Sequence, residues 1–382
     1  MEWRTRQVGA DDQDAFYRVM RVVYRGGDRT GPEDWPQAED ETRFIAEGQV
    51  GAAGAFTVEH LRLTCRGAVL AAGGVAAVGV LPEYRHQGVG RSMMIDALAH
   101  MREREYVLAA LYGFRNSYYR RFGYEVAGRR WQIVCPQHRL PRLATELPVR
   151  QVEPDEIEVV VPCYEAFARR LSGSNLRTRA QWRRRLGKRP PLIYAVGADA
   201  IEAYAWSSAE GGFWDDLRIG EFCWSTPRGY GSMLAVLTGL CANRSSLTWY
   251  EPSASPFLQR SLDQGCQVSL ERSAMFRVLD VQSALRILRA DGTGEFTLSV
   301  EDLLIPQNRG PWRVRFGPDG TDVEPGGEPD LRIPGWALGP AILGEPSLAE
   351  LASSGVIVGS DHAVKAAARL MSPYPTCLYD FF

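Results

Sequence analysis

Residues 75–101 read VAAVGVLPEYRHQGVGRSMMIDALAHM, and this stretch decides the fold. It opens on a short apolar run, Val75 to Val80, bounded by Gly74 and Pro82; that length and those flanks suit a buried strand. A turn over Pro82 to Gln87 leads to Gly88-Val89-Gly90. Beyond it Val89, Met93, Met94, Ala97, Leu98 and Met101 recur at helical spacing, with His100, Arg102 and Glu103 among them. A second apolar run follows at Val107 to Leu111. The order is strand, glycine turn, helix, strand. The first amides of a helix have no intrahelical partner, and the dipole there favours anions. Gly88 and Gly90 remove side chains where a backbone must approach a phosphate closely, and Arg85 adds a charge-assisted contact. The pattern is neither G-x-G-x-x-G, because Met93 stands three places after Gly90, nor a P-loop, because no Gly-Lys-Ser/Thr follows. It reads as a cradle for a pyrophosphate, set against the plainer alternative of a strand-turn-helix with a glycine cap.

Composition bounds the rest. A chain of 382 residues exceeds one typical core, so two or three domains are expected. Hydrophobic residues at 45% and charged residues at 24% give an ordinary soluble globular composition. A net charge of −2 offers no bulk electrostatic case for nucleic acid or membrane binding, and no run has the length of a transmembrane helix. The first residues, MEWRTRQVGADDQ, lack an apolar signal core, so a cytoplasmic protein is expected. The cysteines, Cys65, Cys135, Cys163, Cys223, Cys241, Cys266 and Cys377, form no C-x-x-C pair and are expected to be core thiols in a reducing compartment. The histidines show no ligand spacing, so no metal is expected.

Taken in order, Trp3 to Val8 reads as a strand and Asp11 to Tyr24 as a helix with Phe16, Val19, Met20 and Val23 on one face. A Gly/Pro/Asp-rich loop over Arg25 to Pro36 carries Trp35. Strands are expected at Phe44 to Ala46, Ala55 to Leu63 and Ala68 to Val80, and Trp131 to Val134 is expected to close the first domain. Pro136 to Pro154 reads as a linker, and Glu156 to Leu171 and Arg179 to Leu186 as helices. The run Arg183-Arg184-Arg185 with Lys188 and Arg189 is read as a solvated face, with a phosphate patch as the sharper alternative. Leu192 to Val196 and Ile201 to Ser207 suit a hairpin. Glu221 to Trp224, a helix over Tyr230 to Cys241 and a strand at Leu247 to Tyr250 then repeat the opening pattern. There the turn is Arg228-Gly229-Tyr230-Gly231, so the arginine-to-glycine spacing is lost. A third unit is expected to begin at Ala274 to Val278, with strands at Glu295 to Val300, Trp312 to Phe316 and Leu331 to Ile333, a loop over Pro318 to Pro329, and helices at Ser347 to Ala352 and Asp361 to Leu370. The chain ends Leu378-Tyr379-Asp380-Phe381-Phe382. Termini normally fray; this one is apolar enough to demand burial.

The motif Arg85-His-Gln-Gly-Val-Gly90 after Val78-Gly-Val-Leu-Pro82 resembles the acetyl-coenzyme A loop of the GNAT N-acetyltransferases. The run Tyr118-Tyr119-Arg-Arg-Phe-Gly-Tyr124, the repeated second unit, Met275-Phe-Arg-Val-Leu279 and the aromatic end extend the resemblance, over nearly the whole chain, to the Eis (enhanced intracellular survival) acetyltransferases. The resemblance implies an α+β fold of tandem GNAT domains, the second degenerate, followed by a sterol-carrier-protein-like α/β domain. The expected bounds are residues 1–145, 146–275 and 276–382. It implies acetyl-coenzyme A as co-substrate, a small-molecule amine as acceptor and a homo-oligomer, hexameric in that family, some of whose members acetylate aminoglycosides and other polyamines.

Carried over by position, Val78 and Val80 match the strand that pairs with the pantetheine arm, and Arg85, His86, Gln87, Gly88, Val89, Gly90 and Arg91 match the pyrophosphate loop. Tyr119 matches the general acid and the carboxylate of Phe382 the general base. The family's pocket often carries an acid just before the terminal Phe; here that position is Phe381, with Asp380 one further back. Asp28 and Trp35 fall in the matching substrate loop. A tyrosine hydroxyl, ordinarily titrating near 10, suits protonation of a thiolate better than base catalysis. A terminal carboxyl needs apolar burial to become a useful base. The competing classes are a lipid or sterol carrier built on the third unit and a scaffold of inactive GNAT domains; retention of Arg85 with both glycines argues against the scaffold.

Overall fold

The computed structural model describes residues 3–24, 31–33, 35–48, 51–187, 191–207, 215–260, 265–271 and 273–382. Strands β1 (Thr5–Gln7), β2 (Glu41–Gly48), β3 (Gly51–Cys65), β4 (Ala68–Val80), β5 (Leu108–Leu111) and β6 (Glu125–Val126) belong to the first unit. Strands β7 (Arg130–Pro136), β8 (Val149–Val152), β9 (Leu192–Val196), β10 (Ala203–Ser207), β11 (Leu217–Trp224), β12 (Ser246–Pro252) and β13 (Gln267–Glu271) form the second sheet. After β14 (Met275–Val278) come β15 (Gly294–Glu301), β16 (Trp312–Gly317), β17 (Gly320–Pro325), β18 (Leu331–Pro334) and β19 (Val358–Gly359), which make the third. The three-part α+β layout implied by the resemblance is what the chain adopts.

Two strands correct the sequence reading. The stretch Trp131 to Val134, expected to close the first domain, lies in β7 and pairs antiparallel with β12 and β13 of the second sheet. The stretch Ala274 to Val278, expected to open the third unit, supplies β14, which slots antiparallel between β5 and β6 of the first sheet. The two crossings lie side by side: the Ala127 amide donates to the Ala274 carbonyl at 3.1 Å, and Ser273 Oγ to the Ala127 carbonyl at 2.8 Å. Each crossing satisfies polar backbone groups of the other. The exchange binds the first two units into one body.

The helices are α1 (Gln13–Val23), α2 (Val89–Glu103), α3 (Asn116–Arg120), α4 (Val161–Ala168), α5 (Arg179–Leu186), α6 (Pro227–Leu240), α7 (Pro256–Arg260), α8 (Val281–Arg286), α9 (Gly335–Leu343), α10 (Leu348–Ser353) and α11 (Asp361–Leu370). Val89, Met93, Met94, Ala97, Leu98 and Met101 of α2 are buried on the first sheet with Phe56, Val58 and Leu111, as the periodicity requires. On the other face α1 buries Phe16, Val19 and Met20. Helix α9 was not foreseen, because Gly339 and Pro340 interrupt its sequence. Its Ala337–Leu343 segment is buried all round, and a Cβ on Gly339 would lie 3.1 Å from the Phe276 carbonyl. A glycine there lets α9 press directly on β14. Strands β8 and β17 lie inside the stretches read as linker and loop.

Two further readings are corrected. Cys135 and Cys266 are bonded to each other, because antiparallel pairing of Val134 with Gln267 brings their neighbours together; the other five cysteines are buried thiols. Arg184 and Arg185 form neither a solvated face nor a phosphate patch. Arg184 binds Asp40 and Glu59 of the first unit, and Arg185 binds Glu221. Lys188 and Arg189 lie outside the described residues.

Candidate active site

The first sheet opens into a fork. Strands β4 and β5 run parallel from Ala72↔Leu108 to Val75↔Leu111. There β5 ends, while β4 continues to Val80. Just past the last rung Ala77 takes φ +49° and the β3–β4 register shifts between Ala55 and Thr57. Such a bulge bends one strand away from its neighbour. Val78 and Val80 lie on the diverging arm, each with part of its surface exposed. Tyr24 Oη donates to the Val78 carbonyl at 3.1 Å.

The arm leads into the glycine turn. Gly88 caps α2 at φ +89°, a left-handed conformation natural to glycine, and no atom lies within 4 Å of where its Cβ would be. Among the described residues no side chain caps the α2 amides, and the first turn of the helix carries no acid. Gly90 is needed for a second reason: a Cβ there would lie 2.9 Å from Tyr118 Oη. Arg85, His86, Gln87 and Arg91 are exposed around this end, whereas Val89 is buried beneath it. Arg85 Nε donates to the Val80 carbonyl at 3.3 Å, and Gln87 Nε2 to the Glu83 carbonyl at 2.9 Å. Trp3 Nε1 donates to the Gln87 carbonyl at 2.7 Å, tying the turn to the N-terminal segment. The residue set fits an anionic ligand: open helix amides, no side chain at Gly88, and two exposed guanidiniums.

Tyr119 sits on α3 with 4% of its surface exposed. Its ring meets those of Tyr118 and Phe114 edge-on at 5.1 and 5.6 Å. Burial, then the neighbouring Tyr118 and Tyr24 hydroxyls, push its titration well above that of a free tyrosine. It is therefore a protonated donor across the neutral range. The segment after α3 is held by Arg277 of β14, which donates to the Phe122 carbonyl and makes two 2.9 Å bonds to Asp302 of the third unit. The third unit thus contributes, through Asp302 and Arg277, to the placement of the segment that follows Tyr119.

The chain end comes to the same fork. Cys377 N donates to the Ser172 carbonyl at 2.9 Å, Ser174 Oγ to the Cys377 carbonyl at 2.7 Å, and Tyr112 Oη to the Leu378 carbonyl at 3.0 Å. Leu378 and Tyr379 are buried as expected, at roughly 1.5–3 kcal/mol for each large side chain. A Cβ on Gly74 would lie 2.7 Å from the Phe382 ring. Gly74 pairs with Ala110, one rung before the strands part, so the terminal residue lies at the crotch of the fork. Phe381 corrects the expectation of burial: it is 73% exposed, tilted against Tyr112 at 4.9 Å.

Of the substrate residues carried over by position, Trp35 and Asp380 are not brought to the fork. Trp35 is 3% exposed in the core under α1; its Nε1 donates to Glu41 at 3.0 Å, and Arg43 lies over its ring. Asp380 is buried against Arg177. Both are corrections, and in each case a buried polar partner has taken the side chain. Asp28 lies outside the described residues. Sequence reasoning missed Gly74, Tyr112 and Tyr24 as parts of the fork. Gly74 and Tyr112 flank the two apolar runs, but only the parallel pairing reveals their proximity.

Residues 4–127 match the family model described as an acetyltransferase (GNAT) domain, and residues 281–379 match a sterol carrier protein domain. An uncharacterised N-acetyltransferase of Streptomyces coelicolor is 28% identical over 337 residues, covering 81% of this chain and 80% of that one. A GCN5-related N-acetyltransferase from Anabaena variabilis superposes with TM-score 0.90 at 20% identity, over 100% of both chains. Eis1 from Mycobacterium abscessus does so with TM-score 0.80 at 20% identity, also over 100% of both. The first unit thus matches a GNAT acetyltransferase domain and the C-terminal end a sterol carrier protein domain, and relatives of similar length are named N-acetyltransferases. The resemblance to the Eis acetyltransferases holds over the whole fold.

Proposed function

We propose that the protein transfers acetyl from acetyl-coenzyme A to an amine of a small molecule, with Tyr119 as general acid and the terminal carboxylate of Phe382 as general base. The observation that carries this reading is the convergence at one fork of an open helix N-terminus, a buried tyrosine and the chain end. Gly88, Gly90, Arg85 and Arg91 would hold the pyrophosphate, and the backbone of Val78 to Val80 the pantetheine arm. The bound cofactor supplies an acetyl thioester. Tyr119, kept protonated by its burial, holds a proton at Oη for a departing thiolate. The Phe382 carboxylate takes the proton that the amine must lose. The fork carries exposed aromatic surface in Phe114 and Phe381, and Asp380 is already committed to Arg177. These features favour an amine carried on an apolar or aromatic body.

The test is turnover and melting temperature measured together. Tyr119→Phe should cut kcat by about 100-fold or more with little change in acetyl-coenzyme A affinity. Adding a few residues after Phe382, which turns its carboxylate into an amide, or deleting Phe382, should do the same. Full activity in a C-terminally extended chain overturns the base assignment. A carrier would instead show a thermal shift with fatty acids and none with coenzyme A, and a scaffold would show neither.

A further inference from the structure

We infer that Asp380 is a positioning residue, through which a buried arginine of the second unit sets the terminal carboxylate at the fork; this rests on the role proposed above for Phe382. Arg177 has no exposed side-chain surface. Its Nε donates to Asp380 Oδ1 at 2.7 Å, and its Nη atoms donate to both oxygens of Glu221 at 2.9 and 2.5 Å. The guanidinium lies against two aromatic rings set edge-on to each other, 3.9 Å from the Tyr164 centroid and 4.5 Å from that of Trp182. Tyr164 Oη shares its one proton between the Asn175 carbonyl at 2.7 Å and Asp380 Oδ2 at 3.1 Å. Arg185, bonded to Glu221 at 2.9 Å, lies 3.7 Å from Asp380 Oδ1. The groups facing Asp380 are thus Arg177, Arg185 and Tyr164, with Glu221 behind them. Two guanidiniums and two carboxylates balance.

Such a cluster is costly to bury unless its geometry is well satisfied, and a planar bidentate arginine fixes direction as well as distance. The tail upstream is already held by backbone bonds at Cys377 and Leu378. A charged lock at the next-but-one residue adds little to anchoring that already exists. It does fix the orientation of the last two residues: among the described residues their rings meet that of Tyr112, and Phe382 lies over Gly74 at the edge of the core. Phe381, largely exposed, cannot orient its successor. Misplacing a reacting group by about 1 Å can cost on the order of 100-fold in rate, so holding the carboxylate is a task worth a buried ion pair.

The experiment compares the full-length protein with Asp380→Asn, Tyr164→Phe and the chain lacking Phe382. It measures kcat and KM, melting temperature, and the rate at which carboxypeptidase releases the terminal phenylalanines from the enzyme without cofactor. Asp380→Asn keeps the shape and the Arg177–Glu221 pair. It should lower kcat by roughly 10- to 100-fold, leave KM for acetyl-coenzyme A unchanged and speed release of Phe382 at least 10-fold. Tyr164→Phe removes the hydroxyl shared by Asp380 and the Asn175 carbonyl and should act in the same direction by only a few-fold. Combining Asp380→Asn with loss of Phe382 should cost no more than loss of Phe382 alone. Unchanged kcat and unchanged release in folded Asp380→Asn overturn the inference, as does a fall in melting temperature with normal turnover. If deleting Phe382 from the otherwise native chain leaves turnover intact, the base assignment itself has failed, whatever Asp380 does. If Asp380→Asn does not fold, unchanged release and turnover in Tyr164→Phe overturn the inference.

Discussion

The molecule contains two strand-turn-helix units of the same plan, and their helix N-termini are treated in opposite ways. At α2 the cap is Gly88, no side chain bonds the first amides, and the turn is exposed. At α6 the cap is Thr226, whose Oγ1 accepts from the Gly229 amide at 3.0 Å. Pro227 follows. Glu202 then fills the remaining space. Its carboxylate accepts from Thr226 Oγ1 at 2.5 Å and from Arg228 Nε at 2.8 Å, and a Cβ on Gly229 would lie 2.6 Å from its carbonyl oxygen. The second helix has supplied its own anion. A helix N-terminus favours negative charge in either case; the first leaves that demand for a ligand and the second meets it internally. Strands β11 and β12 also part, after Arg218↔Thr248, but Trp249 and Glu251 beyond that rung are wholly buried. Repetition of the fold therefore does not repeat the open helix end, because a few polar side chains decide whether it is filled.

The largest expected effect comes from giving α2 what α6 has. Gly88→Asp places a carboxylate at the open cap, where there is room for it. It should weaken acetyl-coenzyme A binding by at least about 100-fold, since apposed like charges cost several kcal/mol. Gly88→Asn has nearly the same shape and tolerates a left-handed backbone, so it should lose far less. Titration calorimetry on the native chain should return one site per chain. Two sites, or equal affinity in Gly88→Asp and the native protein, would break the contrast between the helices.

Much of this was legible in residues 75–101, because local rules govern it. The apolar run, the glycine cap and the helical period each depend on neighbours in sequence. The parts that were not legible depend on pairing across the chain. Nothing near Trp131 shows that its strand belongs with β12, nor near Phe276 that its strand lies between β5 and β6. Arg177 stands in Ser172-Gly-Ser-Asn-Leu-Arg-Thr178 with no periodicity to mark it, and its importance appears only when Glu221 and Asp380 arrive from 44 and 203 residues away. Trp35 misled for the converse reason. Its place in the loop matching the family's substrate loop suggested a pocket residue, whereas Phe16, Arg43 and Glu41 enclose it.

A smaller effect tests the closed helix. Thr226→Ala removes the cap from α6 and should cost about 1 kcal/mol of stability, read as a lower melting temperature. Acetyl-coenzyme A affinity and kcat should stay within about twofold of native, because the binding demand lies at α2. A new second binding event in this variant would mean that the cap alone keeps the second site shut, and that Glu202 contributes little.

The smallest effect concerns how the second unit disposes of its buried carboxylates. Glu221 and Glu251 are both fully buried on neighbouring strands. For Glu221 burial pushes the titration up, but Arg177 and Arg185 outweigh it and hold the carboxyl at about 2. For Glu251 burial is again the largest influence and no cation opposes it; bonds from Ser255, Trp249 and Tyr230 offset it only in part, so the carboxyl is raised. The two have opposite linkage. Glu221 binds its proton more weakly folded than unfolded, so its stabilisation is present above the ordinary glutamate value and is lost as pH falls towards 2. Glu251 binds its proton more tightly when folded, so its contribution is complete below the ordinary value of 4.5 and declines as pH rises through the raised folded value. Glu251→Gln fixes the side chain in a neutral form with similar shape. Its melting temperature should therefore gain on that of the native protein as pH is raised from about 4.5 towards neutrality, with turnover unaffected. A difference that stays constant with pH would show that Glu251 is ionised in the fold, its four hydrogen bonds sufficing in place of a cation.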